Sequence, residues 1–420
     1  MVDEGSGAKK VGWAKFMLLL SIIGPGIITA SVDNDPGGIT TYTVAGSHYG
    51  YLLLWTIIPI VIALVLIQEM SARMGIATGK GLADMIREYM GLRTTFYIML
   101  MLIVVNFGNV MAEFAGIAAA GELFGLSKYI VVPLCAVGIW FLVVYGNYKV
   151  VERVFLAASV VYLAYIVSGV LSGPAWGVVT LELVRPHIIL EKEYFFLIVG
   201  LIGTTIAPWM MFYLQSSVVE KGIKPSQLKY SVIDVASGSI ATGVIAFFII
   251  VASAATLFAN GIFVTTAEEA AKSLVPLAGA YAAYLFALGL FNAGVFSAAI
   301  LPLSTAYSIC EGMGWESGVN KKFGEAPQFY TIITFLIAFG AGLILIPGIP
   351  LITILIVSQV LNGVLLPVIL VYMLRLSGSE RIMGRFRNSR FFSAITWVIC
   401  CVIILLTGVL TLTYIVPGLL

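Results

Sequence analysis

The chain has 420 residues, of which 60% are apolar and only 10% charged, against roughly 25% charged in an ordinary soluble domain. So few polar side chains cannot cover a compact soluble fold, and so apolar a chain does not stay solvated as a disordered one. A formal net charge of +2 carries no signature of nucleic-acid binding.

A bilayer-crossing helix takes about 20 mostly apolar residues. Eleven such segments follow one another, at 16–46, 51–72, 94–124, 129–147, 154–174, 194–218, 230–258, 276–312, 328–346, 350–374 and 391–416. They are long, continuous runs, unlike the short alternating strands of a membrane barrel. The polar stretch Val2–Lys15 is followed by no small-residue cleavage site, so no cleaved leader is expected. Cys135, Cys310, Cys400 and Cys401 all fall inside apolar runs and read as small buried hydrophobes.

Two spans are interrupted. Span one contains Asp33-Asn34-Asp35-Pro36-Gly37-Gly38, and span six contains Ile206-Ala207-Pro208-Trp209. Proline removes a backbone donor and clashes with the preceding turn, so both helices are expected to break there. Unwound backbone at membrane depth is tolerated only inside protein or along a polar cavity. The breaks lie five spans apart, and an odd offset reverses direction through the membrane. This predicts an all-α fold with an inverted 5 + 5 repeat in a single transmembrane domain spanning 1–420. The first repeat is 16–174, the second 194–374 and an additional helix 391–416, with the substrate site where the two broken helices meet.

Lys and Arg set the orientation. With the N-terminus inside, 19 of the 23 basic residues fall on the inner side, leaving only Lys128, Arg185, Lys192 and Lys272 outside. The expected protein is a multi-pass monomer in the plasma membrane, with a cytoplasmic N-terminus and an extracytoplasmic C-terminus.

Asp35 is the most informative residue. A carboxylate near the membrane centre is costly and marks a functional site by default. Carboxylate together with freed carbonyl oxygens makes a hard-cation site. The structural alternative is a helix cap. Asp33, two residues earlier, reads either as a cavity-lining partner or as part of the still-helical first half.

The run Gly24-Pro25-Gly26, then Asp35-Pro36-Gly37, then Gln68-Glu69-Met70-Ser71-Ala72-Arg73-Met74-Gly75 through Asp84 resembles the signature of the natural resistance-associated macrophage protein (Nramp) family. Ser358-Gln359 in span ten matches it as well. The resemblance implies a LeuT-like fold with broken helices one and six, and transport of manganese or iron(II) with protons. It implies that Asp35 binds metal, as do the positions held here by Gly38 and Ala207 and the carbonyl at Thr204. The family has asparagine where Gly38 stands and methionine where Ala207 stands.

Loss of the thioether removes a soft ligand that favours transition metals over magnesium. What remains are oxygens in a seat expected to be wider, which suits a largely hydrated Mg2+, with Mn2+ also accepted. This pattern resembles the Nramp-related magnesium transporters. Outer-shell or pathway positions are Asp33, Thr205, Trp209, Met210, Gln359, Asn362 and Glu113, and Met210 is the rival sulfur ligand should the register slip. The family's span-six histidine is Trp209 here, and its span-three Asp and Glu pair is reduced to Val110 and Glu113. Both changes imply transport without strict proton coupling.

No cofactor is expected beyond the transported ion, and no nucleic-acid partner. Nothing in the chain matches a metallohydrolase or serine-hydrolase motif, so an enzyme is not expected. The rivals are a proton-coupled Mn2+/Fe2+ transporter and a sodium-coupled amino-acid transporter on the same fold. An aspartate on the break argues against a substrate carboxylate at that spot.

Overall fold

A computed structural model describes residues 25–146, 159–319 and 321–415. Among them all regular structure is helical. The helices that matter here are α1 (Pro25–Asp33), α2 (Pro36–Tyr49), α3 (Ile57–Thr78), α4 (Leu82–Met90), α5 (Leu92–Leu123), α6 (Lys128–Tyr145), α7 (Leu163–Leu171), α8 (Trp176–Val184), α9 (Lys192–Thr205), α10 (Pro208–Glu220), α11 (Leu228–Thr256), α12 (Ala282–Met313), α13 (Pro327–Ile344), α14 (Leu351–Gly378) and α15 (Arg390–Ile415).

Each expected span overlaps a helix, and both expected breaks are present: α1 stops before α2 and α9 before α10. Among the described residues nine helices are long and apolar enough to cross a membrane, counting α9 with α10 as one, and a bent pair makes a tenth. The first expected span is described only from Pro25 onward. Part of the fifth lies outside the described residues, and its visible end turns by 115° into α8. That turn was not legible in the apolar run.

His48, between the first two expected spans, belongs to the last turn of α2, with its ring edge against Phe263. One smaller reading needs correction. Cys401 is exposed on α15 rather than buried, as an apolar side chain on a lipid-facing helix can be.

The broken span is the centre of the bundle. In its most apolar stretch 94% of α9–α10 is buried, against 28% for α15 at the periphery. Close backbone approach holds α9 there. A Cβ on Gly203 would lie 2.0 Å from the Gln359 carbonyl oxygen and 2.3 Å from the Gly363 nitrogen of α14. Small residues let membrane helices come this close, where dispersion and interhelical hydrogen bonds hold them.

The first half-helix is anchored differently. The Gly26 amide donates to Asp234 Oδ2 of α11 at 2.7 Å, so a carboxylate 208 residues away caps an otherwise orphaned helix N-terminus. Gln68 of α3 bridges both broken spans, accepting from Thr29 Oγ1 at 3.2 Å and facing Met210 Sδ at 3.9 Å. Ser71 donates to the Met211 carbonyl at 2.6 Å.

Arg73, near the other end of α3, gathers the connection between α14 and α15. It binds Glu69 at 2.8 and 3.1 Å, Asn388 Oδ1 at 2.7 Å and the Phe386 carbonyl, and lies over the Phe392 ring. From sequence, Arg73 is visible as an inner-side charge within the family-like run, with no sign of these partners.

Candidate functional site

The two breaks are built alike. Asp35 and Ala207 are both extended (φ −67°, ψ 170° and φ −73°, ψ 138°), and each is followed by a proline in the first turn of the next half-helix. That is where proline is tolerated, since its missing donor would be unpaired there anyway. The same proline leaves the carbonyl four residues earlier without its helical partner. At the second break that carbonyl belongs to Thr204, four residues before Pro208.

Gly38 shows what converges between the breaks. A Cβ placed on it would lie 2.6 Å from the Asp33 carbonyl oxygen, 2.9 Å from Thr204 Oγ1 and 3.3 Å from Asp35 Oδ1. Three oxygens from both broken spans therefore meet at one glycine. The Thr204 hydroxyl is buried and has no hydrogen-bond partner among the described residues, and neither has the Asp33 carboxylate. The carbonyl ends of α1 and α9 add the negative poles of two helix dipoles. The arrangement can hold a cation through oxygen.

Asp35 also caps its helix. Its Oδ1 accepts from the Gly38 amide at 2.5 Å, and Gln359 Nε2 of α14 donates to both carboxylate oxygens, at 3.3 and 3.2 Å. A carboxylate that caps in this way keeps lone pairs with which it can also meet a cation. The seat is not wider for having Gly38, because Thr204 Oγ1 and the Asp33 carbonyl fill the space a side chain would take. This corrects the expectation of an enlarged cavity at that position.

Other expected residues fall as follows. Thr205 turns its hydroxyl to Leu201 O at 2.8 Å and to Tyr42 OH at 2.7 Å, tying α9 to α2, so the open hydroxyl at the seat is that of Thr204. Met210 is buried with its sulfur facing Gln68. Trp209 packs near Tyr213, with ring centres 6.2 Å apart, and its carbonyl faces Ser304 Oγ at 3.4 Å. Ala207 is buried and leaves its side of the break apolar.

Glu113 of α5 is buried close enough to Asp35 for their charges to interact, and among the described residues neither of its oxygens has a hydrogen-bond partner. The sequence places Glu113 on the pathway but gives no sign that it lies near Asp35. Asn362 does not reach Asp35 itself and bonds Gln359 Oε1 at 2.9 Å instead.

On one side of the bundle, Lys80 pairs with exposed Glu88. Ser216 donates to Glu311 Oε1 at 2.8 Å, and Arg87 reaches the Glu311 carbonyl at 3.2 Å, joining α4, α10 and α12. Burial holds the Asp84 carboxyl above its usual range there, opposed by the charges of Arg87 and Lys80.

An all-helical membrane bundle with two broken spans, their oxygens meeting at its centre, defines the LeuT-like class of membrane transporters. Residues 26–413 match the family described as natural resistance-associated macrophage protein-like, and the chain belongs to the Nramp family. A protein of Klebsiella pneumoniae named divalent metal cation transporter MntH is 29% identical over 397 residues, 93% of each chain. Its namesake from Bacillus subtilis is 28% identical over 404 residues, covering 93% of this chain and 92% of its own.

Among solved structures, a manganese transporter of Eremococcus coleocola superposes with a TM-score of 0.75 at 21% identity, over 96% of this chain and 89% of the other. A nucleobase-cation-symport-1 family transporter does so with a TM-score of 0.58 at 13% identity, over 94% and 91%. These two likenesses concern the fold.

Proposed function

We propose that this protein carries divalent metal ions across the membrane by alternating access, with Asp35 as the charged ligand, and that it accepts Mn2+ and also Mg2+. The observation that carries the reading is the meeting of Asp35, the Asp33 carbonyl and the unpartnered Thr204 hydroxyl at Gly38, between the two breaks. The donors are oxygens, and the nearby thioether of Met210 faces Gln68. An all-oxygen seat holds Mg2+ as well as Mn2+. The names of the relatives support a divalent metal, and manganese in particular.

The ion passes between an inverted pair of repeats, 16–174 and 194–374, with 391–416 outside them. The protein acts as a monomer in the plasma membrane with its N-terminus in the cytoplasm, the side to which its Lys and Arg assign it.

Coupling has two readings. The missing histidine at Trp209 and the missing acid at Val110 support flow down the metal gradient and membrane potential alone. The buried, unpartnered carboxyl of Glu113 near Asp35 supports the second, in which a proton moves against or with the ion as in a proton-coupled manganese or iron(II) transporter. The names of the relatives speak to the ion and not to its coupling.

The test uses the full chain in sealed liposomes containing a pH-sensitive dye. Uptake of Mn2+ and of Mg2+ above empty liposomes is the expected result, and failure with both ions overturns the proposal. Uptake of Mn2+ without Mg2+ removes the magnesium part. A lumenal pH change in step with metal entry selects the coupled reading, and a steady pH the uncoupled one.

A further inference from the structure

Three buried side-chain amides form an unbroken chain from the break to α5. Gln359 Nε2 donates to Asp35, and Gln359 Oε1 accepts from Asn362 Nδ2 at 2.9 Å. Asn362 and Asn109 then exchange a reciprocal pair of bonds, Asn109 Nδ2 to Asn362 Oδ1 at 2.9 Å and Asn362 Nδ2 to Asn109 Oδ1 at 3.0 Å. Asn109, Asn362 and Gln359 are each 1% exposed, so water does not substitute for any of these bonds.

The direction of the chain is set by Asp35. An ionised carboxylate only accepts, so Gln359 must present its NH2 end to it. A dication seated on Asp35 reverses that demand, because an NH2 repels the ion and a carbonyl oxygen attracts it. Turning the Gln359 amide over brings its NH2 against the NH2 of Asn362. That conflict is relieved only if Asn362 turns as well, and the next only if Asn109 turns. After all three have turned, every bond among the amides is remade with donor and acceptor exchanged, and the bond from Gln359 to Asp35 gives way to contact with the ion. Among the described residues the Asn109 side chain bonds only to Asn362, so nothing beyond it opposes the turn. The chain therefore has two self-consistent arrangements, one for an empty seat and one for a filled seat.

We propose that Asn109 and Asn362 are positioning residues that decide which end of the Gln359 amide faces the ion, so that occupancy of the break is registered on α5 and α14 together. The proposal rests on the reading of Asp35 as the ion's seat. Neither asparagine touches the ion in it. Both act through Gln359.

The test is a double-mutant cycle on the purified full chain, with Mn2+ binding measured by calorimetry and folding by thermal melting. Asn109→Ala is expected to weaken Mn2+ binding about tenfold in the wild-type background and to have no further effect in Gln359→Ala, since residues in one network couple energetically. Asn109→Ser, which keeps a polar group of smaller size, replaces Asn109→Ala in the cycle should the alanine variant not fold. Equal losses in both backgrounds, or no loss in either, overturn the proposal, because a merely structural asparagine would not need Gln359 to exert its effect. Asp35→Asn serves as the separate control. If it binds Mn2+ as tightly as wild type, the seat is misplaced and the proposal falls with it, whereas loss of binding in Asp35→Asn alongside an additive cycle condemns the amide chain alone.

Discussion

Asp35 caps its helix and, in the function proposed above, holds the ion, and substitution separates the two roles. Asn and Asp are comparable helix caps, whereas alanine forfeits about 1 kcal/mol at such a position. Asp35→Asn is therefore expected to melt near wild type yet lose metal flux, while Asp35→Ala loses flux and also melts lower. Liposome uptake alongside thermal melting checks both, and retained flux in Asp35→Asn would return Asp35 to a purely structural role. Gly37 permits the neighbouring contact, since a Cβ there would sit 1.9 Å from Gln359 Nε2. That atom is the end of a flexible side chain and can move aside. Gly37→Ala is expected to fold, to displace the Gln359 amide from Asp35 and to change Mn2+ affinity, which calorimetry reads directly. The place of Asp35 at a break was legible in sequence, as a carboxylate beside a Pro-Gly pair in an apolar run, where such a charge is costly. Its nearness to Glu113 was not, because helices α2 and α5 are brought together only by packing.

At the scale of elements, α9 offers an internal control for close packing. Gly203 and Gly200 lie one turn apart. A Cβ on Gly203 meets the backbone of α14, whereas one on Gly200 finds its nearest neighbours at 3.4 and 3.5 Å. Gly203→Ala is expected to be destabilising by about 1–3 kcal/mol or more, since backbone cannot yield as a side chain does. Gly200→Ala should be nearly neutral. Melting of the two purified variants decides this, and equal melting temperatures would show that α9 and α14 separate at little cost. Arg73 gives a second test. It holds the connection between α14 and α15 through Asn388 and the Phe386 carbonyl. Arg73→Ala removes the donor from the buried Asn388 oxygen and the partly buried Phe386 carbonyl, and faster protease cleavage between Ser379 and Arg390 is the expected consequence.

For the whole molecule, the membrane potential acts on the net charge moved. It contributes about 2.3 kcal/mol per charge per 100 mV, so uncoupled entry of a divalent ion responds twice as strongly as that of a monovalent one. Imposing an inside-negative potential on liposomes is expected to accelerate Mn2+ uptake, and uptake indifferent to potential would require compensating charge movement. The architecture that permits this was largely readable from sequence. Apolar length placed the spans, proline placed both breaks, and their odd spacing implied inverted halves. The turn after α7 into α8 was missed because it is set by tertiary packing at the end of a span rather than by hydropathy.

Composition and periodicity are local properties, and they determined that this chain lives in a membrane, where its helices run, where two of them break and which carboxylate sits at a break. The company that carboxylate keeps is not local. Gly38, Thr204, Gln359, Glu113 and, through amides, Asn362 and Asn109 come from four different helices, and their separation in sequence says nothing of their separation in space. The volume vacated beside Gly38 looked like room for a hydrated ion, and packing filled it with the Thr204 hydroxyl and the Asp33 carbonyl. Only the tertiary structure decided this, because buried polar groups find partners wherever the folded chain brings donors and acceptors within reach.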